Sequence, residues 1–192
     1  MYYVVKYIGH FGFIKPWTAV RDSETFSQQF LTPSIVEGME KKIFPELLKV
    51  NGIQKIKRHR LNYLEIDVQQ ERTWSKGGFS AKRDKGKWKT NLAIIDRGVM
   101  LEPNLYLAFE NEQDAKEAME QHICLCRNED VMHPIEILKL SDIEFDEIDG
   151  FELLFEGDKN AMFKVGHNRF DDVKEMYGQL KIFGNPIRQS LT

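Results

Sequence analysis

The stretch from Gly9 to Phe44 constrains the fold of this chain most, because it joins a strand pattern to a helix pattern by an unusually long connection. Connections in compact domains commonly run about four to six residues, and much longer ones without secondary structure are functional or disordered. Apolar side chains such as Phe13, Trp17 and Phe30 recur along this connection, which argues against disorder. The sequence therefore predicts an ordered loop that lies over the domain and holds something.

Length and composition indicate an ordinary soluble protein. A chain of 192 residues suits one domain, or one core domain with a smaller appendage, and 42% hydrophobic with 30% charged residues is an average balance. No apolar run approaches a membrane span and the N-terminus has no signal-peptide pattern, so the cytoplasm is the expected location. The two cysteines, Cys124 and Cys126, are too sparse for a disulfide framework or a zinc site, so we expect reduced thiols and no cofactor.

Charge is divided unevenly between the two halves of the chain. Residues 1–100 hold 18 Lys and Arg against 10 Asp and Glu, whereas residues 101–192 hold 9 against 20. Such asymmetry points to nucleic-acid contact on the basic side.

The order of the predicted elements indicates the fold class. Tyr2 to Ile8 is β-branched and aromatic and predicts a central strand, and Thr32, Pro33 and Ser34 predict the start of a helix that Pro45 ends. Gly38 within that helix predicts close approach of another backbone or of a ligand. Further strands are predicted over residues 53–58, 61–68, 91–95, 104–109, 135–145, 151–155 and 162–165. A helix is predicted over 112–124, and a short helix or helical turn over 170–180.

Strand, helix, strand, strand, helix, strand is the order of the ferredoxin-like fold. We therefore expect an α+β protein with a ferredoxin-like (RRM-like) core over residues 1–140, a basic arm inserted at 70–90, and a small, acidic, strand-rich C-terminal extension over 141–192.

The basic segment from Lys55 to Lys89 carries eleven Lys and Arg against four acids, interleaved with aromatic residues such as Trp74 and Trp88. Single-stranded RNA is bound by cationic grooves and by aromatic faces on which bases stack. The alternative is a solvated basic loop whose aromatic residues belong to the core. The candidate RNA-binding residues are Lys15, Trp17, Arg21, Lys55, Lys57, Arg58, Arg60, Arg72, Trp74, Lys76, Lys82, Arg83, Lys85, Lys87 and Lys89.

Patterns for catalysis are scarce. The five histidines have no metal-binding spacing, and the chain has neither a phosphate-binding glycine loop nor a nucleophile elbow. The carboxylates between Asp142 and Asp149 alternate along a predicted strand edge, which favours a solvated acidic face over a two-metal site. We therefore predict no catalytic residue and no metal.

The opening stretch resembles the Cas-five family of CRISPR-associated proteins, in the RAMP superfamily, and is most similar to the branch found in subtype I-C. The resemblance covers about the first 110 residues well. It depends on Gly9-His10-Phe11-Gly12-Phe13, Pro16, Thr18, Phe26-Ser27, Thr32-Pro33-Ser34, Gly38-Met39 and Ile43-Phe44, followed by Arg97-Gly98-Val99-Met100-Leu101 leading to Asn104-Leu105-Tyr106-Leu107.

This resemblance implies a subunit that holds the 5′ handle of a guide RNA (crRNA) and caps a Cascade-type effector complex. Its partners would be the backbone and large subunits of that complex, with no membrane involved. The arm over residues 72–89 would correspond to the family's inserted thumb.

The I-C branch also cleaves precursor RNA, with a tyrosine at the end of the first helix and a Lys-His pair in a later helix. Phe44 stands at the tyrosine position, and no Lys-His pair occurs in the chain. Phenylalanine has no hydroxyl to exchange a proton with the attacking 2′-OH, so we do not expect the nuclease activity.

Two alternatives to an RNA-binding subunit remain open at the level of the sequence. One is a metal-independent endoribonuclease with rearranged residues such as Tyr63, His59 and Lys57. The other is a ferredoxin-like protein-interaction module unrelated to RNA.

Overall fold

The structure, a computed structural model, describes residues 1–18, 24–74, 80–158 and 160–188, with Trp74 described by its backbone alone. The described strands are β1 (Tyr2–Gly9), β2 (Phe11–Gly12), β3 (Glu24–Phe26), β4 (Ile56–Asn62), β5 (Ile66–Trp74), β6 (Ala81–Asp84), β7 (Lys87–Thr90), β8 (Leu92–Leu101), β9 (Asn104–Phe109), β10 (Ile123–Cys124), β11 (Val131–Leu140), β12 (Gly150–Leu154), β13 (Phe163–His167) and β14 (Glu175–Phe183). The described helices are α1 (Pro33–Ile43), α2 (Glu112–Met119) and α3 (Asp142–Asp146), and a 3₁₀ helix covers Pro45–Lys49.

Eight strands form the main sheet in the order β10-β11-β1-β9-β4-β12-β14-β13. The four strands β11, β1, β9 and β4 are antiparallel to their neighbours. With α1 and α2 they follow one another along the chain as strand, helix, strand, strand, helix, strand. The protein is therefore α+β with mostly antiparallel sheets, and the arrangement is compatible with an RRM-like core.

Strand β1 lies in the middle of the sheet, as predicted. Val4, Val5 and Tyr7 are fully removed from solvent, and the Tyr7 hydroxyl donates a hydrogen bond of 2.7 Å to the carbonyl of Ala118 in α2. Because side chains alternate across a strand, Val5 and Tyr7 pack beneath the helices, whereas Val4 contacts Phe145 on the opposite face.

Helix α1 begins and ends where the sequence predicts. Thr32 is its N-cap, Pro33 opens it, and Val36, Met39 and Ile43 form its buried stripe. Buried Glu40 on the same helix was not predicted. Its carboxylate accepts three backbone hydrogen bonds of 2.6 to 2.8 Å from residues 54, 55 and 56, which fixes the entry into β4.

The long connection after β1 is ordered over its described parts, as predicted; residues 19–23 lie outside them. Phe13, Ile14 and Leu31 are buried, and the backbone N–H of Phe13 donates to buried Asp130 at 3.0 Å. Gly38 of α1 is approached by a side chain, since a Cβ there would lie 2.5 Å from Nη2 of Arg169.

A second, four-stranded sheet is built around β8. Strand β5 pairs along one edge of β8 through nine residue pairs, and β2 and β3 pair along the other edge. Between β5 and β8 the chain forms the hairpin β6–β7, whose turn residues Lys85 and Gly86 both have positive φ angles, 47° and 80°. Glycine and a few other residues tolerate this conformation, and it matches the twist of two-residue hairpins.

The observed bounds of several strands and of the second helix differ from the predicted ones. The strands predicted over 53–58 and 61–68 are instead β4 and β5, because the turn falls at residues 63–65. The helix predicted over 112–124 ends at Met119, and Ile123 and Cys124 form β10. The strand predicted over 91–95 continues to Leu101.

Two predictions for the C-terminal part of the chain also differ from the structure. The strand predicted over 135–145 ends at Leu140, because Ser141 and Glu144 form a capping box that starts α3. Of the short helix or helical turn predicted over 170–180, residues 170–173 form a turn, whereas the prediction is wrong from Glu175 onward. Residues 175–183 form β14, which pairs with β12 and β13 and extends the main sheet beyond β4. Among the described residues, no helix has the length and apolar character that crossing a membrane requires.

Candidate nucleic-acid interface

The β6–β7 hairpin presents five exposed cations of the predicted set. Lys82, Arg83, Lys85 and Lys87 are all exposed, and none has an ion-pair partner within the described part of the chain. Lys89 is also exposed but forms an ion pair with Asp84. Trp88 is 72% exposed, so its indole is not part of the core. Arg72 is exposed on β5, which leads to the hairpin.

The remaining predicted residues on this arm are less fully described. Lys76 lies outside the described residues, and so does the side chain of Trp74. The positions that are described create a strip of positive potential with one exposed aromatic ring. Such a strip suits a polyanion with bases able to stack.

Trp17 and Lys15 lie on the opening connection, and Arg21 is outside the described residues. Lys15 is exposed and Trp17 is 48% exposed. The indole of Trp17 makes an edge contact with the ring of His167, centroids 5.9 Å apart, and Lys164 lies over its face at 5.2 Å. This surface is formed by the connection and β13.

Arg58 and Arg60 on β4 are committed to ion pairs inside the protein. Arg58 donates two hydrogen bonds to Glu152 of β12, and Arg60 is 0% exposed and donates to the same carboxylate at 3.1 Å. Burial disfavours the charge of Arg58, but Glu152 and Asp146 outweigh it and raise its pKa. For Arg60 burial prevails over Glu152 and lowers the pKa. Both guanidinium groups are therefore occupied by a carboxylate of the protein itself.

Strict alternation along a strand would place Lys55, Lys57 and His59 on one face, but these side chains do not form a continuous stripe. A bulge in the pairing of β4 with β9, between Ile56 and Arg58, shifts the alternation by one residue. Lys57 is exposed, whereas His59 is buried. Lys55 is half-buried between Glu46 and Asp114, each 3.0 Å away. Its pKa is raised, because hydrogen bonds to those acids outweigh the burial that opposes its charge.

The residues weighed for endoribonuclease chemistry are mostly inaccessible. Tyr63 is 0% exposed, its hydroxyl has no hydrogen-bond partner among the described residues, and burial raises its pKa. His59 is 3% exposed, and burial lowers its pKa to about 4. Phe44 is also fully buried, edge-on to Phe109, with Lys55 3.8 Å above its ring. Tyr63 and Phe44 do not reach a phosphodiester without movement of the chain, and His59 presents only the small part of its ring that lines a cleft beside β4.

A cleft of about 330 Å³ beside the end of β1 was not predicted. It is lined by Ile8, Gly9, His10, Glu102, Asn104, His133 and Arg188. Arg188 donates to the backbone carbonyl of Glu102. These residues come from separate segments of the chain, so sequence spacing gives no signal beyond His10 in the opening Gly-His-Phe-Gly-Phe pattern. The described residues contain no group of three metal-ligating side chains.

Comparisons with known proteins connect this chain to others through structure alone. No protein-family model matches it, and no curated protein matches it by sequence. A chain of a solved CRISPR RNA-guided surveillance complex aligns over 97% of this chain and 91% of its own length, with 10% identity and a TM-score of 0.56. A crystal structure of a Cas protein aligns over the full length of both chains with 11% identity and a TM-score of 0.46. The first likeness shows that this chain shares the fold of a chain from a CRISPR RNA-guided surveillance complex.

Proposed function

We propose that this protein is a non-catalytic subunit of a CRISPR effector complex that holds the 5′ handle of crRNA and caps the assembly. The observation that carries the proposal is the β6–β7 hairpin, with four exposed cations that lack ion-pair partners within the described residues. Cations that the fold itself does not neutralise are available to phosphates. The exposed ring of Trp88 on the same hairpin offers a face for base stacking.

Two further observations agree with this function. The chain shares its fold with a chain of a CRISPR RNA-guided surveillance complex, and the strand order β11-β1-β9-β4 fits the ferredoxin-like core that the resemblance to the Cas-five family implies. The first motif behind that resemblance, Gly9 to Phe13, lies next to a cleft that contains Arg188 and two histidines. On this proposal the partners are crRNA and the backbone and large subunits of the complex.

Salt dependence of RNA binding tests the proposal. Each phosphate neutralised on a single strand contributes about −0.7 to the slope of log K against log salt. Four hairpin contacts therefore predict a slope of about −3, which is about a 50-fold loss of affinity between 50 and 200 mM salt. The RNA is the species that co-purifies with the chain from its own host. A slope near zero, or the absence of any co-purifying RNA, would contradict the proposal.

The same RNA distinguishes a binding subunit from a nuclease. The purified chain is incubated with a precursor transcript that contains the co-purifying sequence, in the presence of EDTA. We expect the transcript to remain intact, since Tyr63 and His59 are buried and Phe44 has no hydroxyl. Cleavage at a single position would establish the metal-independent endoribonuclease instead.

A further inference from the structure

A cleft opens in the main sheet where β4 and β12 separate. The two strands are paired at a single position, Phe151 with Leu61, whereas β4 is paired with β9 along its whole length. The resulting space is about 440 Å³, within the usual range for a small-molecule site. It is lined by Val36, Ile53, Ile56, Lys57, Arg58, His59, Glu152, Leu153, Leu154, Phe155 and Glu156.

Among the described side chains that line the cleft, His59 alone has a buried polar atom without a hydrogen-bond partner. It is 3% exposed, and its Nε2 has no hydrogen-bond partner within the described residues. Burial lowers its pKa to about 4, so at neutral pH the ring is uncharged and has one donor and one acceptor nitrogen. A buried polar atom without a partner is unfavourable, and a ligand that hydrogen-bonds to it gains affinity.

The walls of the cleft suit a flat, uncharged group. The imidazole of His59 is stacked on the ring of Phe155, with centroids 5.2 Å apart and planes 23° from parallel. Val36, Ile56 and Leu153 supply apolar surface and are buried. Two of the ionic side chains in the wall are paired with each other, because Arg58 donates two hydrogen bonds to Glu152 at 3.0 and 2.6 Å.

Lys57 provides the cationic group of the cleft that is open to solvent. Its side chain is 39% exposed and its ammonium lies 3.7 Å from Glu110, a surface pair of the kind that contributes little and exchanges readily. A ligand with a planar, neutral head and an anionic tail thus meets stacking surface, an imidazole nitrogen and an ammonium in one place. A nucleotide has this combination of groups.

We infer that this cleft binds a single unstacked ribonucleotide, with its base against His59 and Phe155 and its phosphate at Lys57. Proteins that bind single-stranded RNA commonly hold splayed bases against aromatic side chains and read their edges by hydrogen bonds. A peptide fits less well, because Phe151 and Leu61 still join the strands and block an inserted strand. The inference rests on the proposed function only in taking RNA as the source of the nucleotide.

Nucleotide titrations followed by the NMR signals of His59 test the inference on the unmodified protein. The probes are the four ribonucleoside 5′-monophosphates, and ribose 5-phosphate is the control without a base. We expect at least one nucleotide to shift the His59 ring signals with saturation, and the control to leave them unchanged. The inference is overturned if none of the four shifts them, or if ribose 5-phosphate acts equally.

Two variants locate the effect. We expect H59Q, which keeps a polar side chain but loses the ring, and Phe155→Leu, which removes the stacking face, each to weaken nucleotide binding about tenfold. The matched control is Glu147→Gln, an exposed position outside the lining of the cleft, which should bind as the wild type does. Backbone signals of Leu153 report binding where His59 is absent.

Other outcomes separate this site from the hairpin. If the chain binds RNA through the hairpin but no nucleotide perturbs His59, the inference fails and the proposed function stands. If nucleotides saturate the cleft but RNA affinity is insensitive to salt, the hairpin function fails and the cleft stands. Perturbation of His59 by a protein subunit and by no nucleotide would overturn the inference, since the cleft would then be a protein interface.

Discussion

Arg60 and Glu152 form an ion pair in which neither side chain reaches solvent appreciably. The Nη2 atom of Arg60 lies 3.1 Å from Oε2 of Glu152, and the side chains are 0% and 2% exposed. Arg58 shares the same carboxylate, so two cations on β4 are held by one acid on β12. This pairing attaches the last strands of the chain to the central sheet, next to the place where β4 and β12 separate.

The first prediction concerns Glu152→Gln. The variant leaves Arg60 buried without its carboxylate, and loss of one partner from a buried ion pair costs about 3–5 kcal/mol. The free energy of unfolding, measured in urea, should fall by that amount. Glu156→Gln, at an exposed position of the same segment, should leave it unchanged. Equal stability of the Glu152 variant and the wild type would show that water reaches the pair.

A second prediction concerns the pH dependence of stability. The pKa of His59 is about 4 in the folded protein against an ordinary 6.5. Between pH 6.5 and 4 the imidazole of His59 is therefore protonated in the unfolded chain but not in the folded protein. The contribution of neutral His59 to stability is fully present above pH 6.5 and is lost as the pH falls toward 4. The shift corresponds to about 3 kcal/mol over this window.

Urea unfolding of the wild type and of His59→Gln at intervals from pH 4 to 7 measures this contribution. The variant should lack the part of the slope that His59 causes, while other titrating groups affect both proteins alike. Curves that stay parallel over the whole range would refute a buried neutral histidine.

Glu40 supports a third prediction. Its buried carboxylate accepts backbone hydrogen bonds from residues 54, 55 and 56, and a glutamine amide nitrogen is unable to accept any of them. Because hydrogen bonds to charged groups contribute about 1.5–3 kcal/mol each, Glu40→Gln should destabilise the fold by about 3 kcal/mol. Hydrogen exchange should accelerate first at the amide of Gln54, which donates to Oε2, since the one remaining amide oxygen can still accept the bonds of Lys55 and Ile56. Exposed Glu147→Gln serves as the control.

The fourth prediction concerns the exposed cations of the β6–β7 hairpin. Changing Lys82, Arg83, Lys85 and Lys87 together to glutamate should weaken RNA binding at least about 50-fold, as much as raising the salt from 50 to 200 mM weakens the wild type. The slope of log K against log salt should also come close to zero, because the charges that release counterions are gone. Gel-shift titrations at several salt concentrations measure both quantities. Thermal unfolding should be unchanged, since all four side chains are exposed.

A matched control separates location from net charge. Lys42, Lys49, Lys139 and Lys181 are exposed outside the hairpin, and changing them to glutamate alters the net charge equally. This second variant should lose only a few-fold in affinity. The same loss in both variants would mean that the hairpin has no special part in binding.

The fifth prediction is a stabilising change. A Cβ at Gly38 would meet Nη2 of Arg169 at 2.5 Å, the far end of a flexible side chain that is able to move aside. Alanine is favoured over glycine inside a helix by about 1 kcal/mol. Gly38→Ala should therefore raise the unfolding free energy by up to that amount. A lower unfolding free energy for the variant would show instead that Arg169 is fixed over α1.

Local signals in the sequence were enough for β1, β9 and helix α1. Strand residues and the Thr32-Pro33 helix start each act within a few residues, so the chain itself specifies them. The short helix or helical turn predicted over 170–180 is a strand from Glu175 onward, because its short apolar pattern fits either period and pairing with β12 decided in favour of a strand.

The positions of the charged groups on β4 were decided only by the tertiary structure. The sequence determined that Lys57, Arg58 and Arg60 are neighbours, but a bulge against β9 and a carboxylate about ninety residues further along determine which of them meet solvent. Burying a cation is unfavourable unless an anion accompanies it, and that anion, Glu152, arrives with a strand that no local pattern connects to β4. The sequence by itself thus determined where cations are concentrated, whereas long-range pairing decided which of them remain available for a ligand.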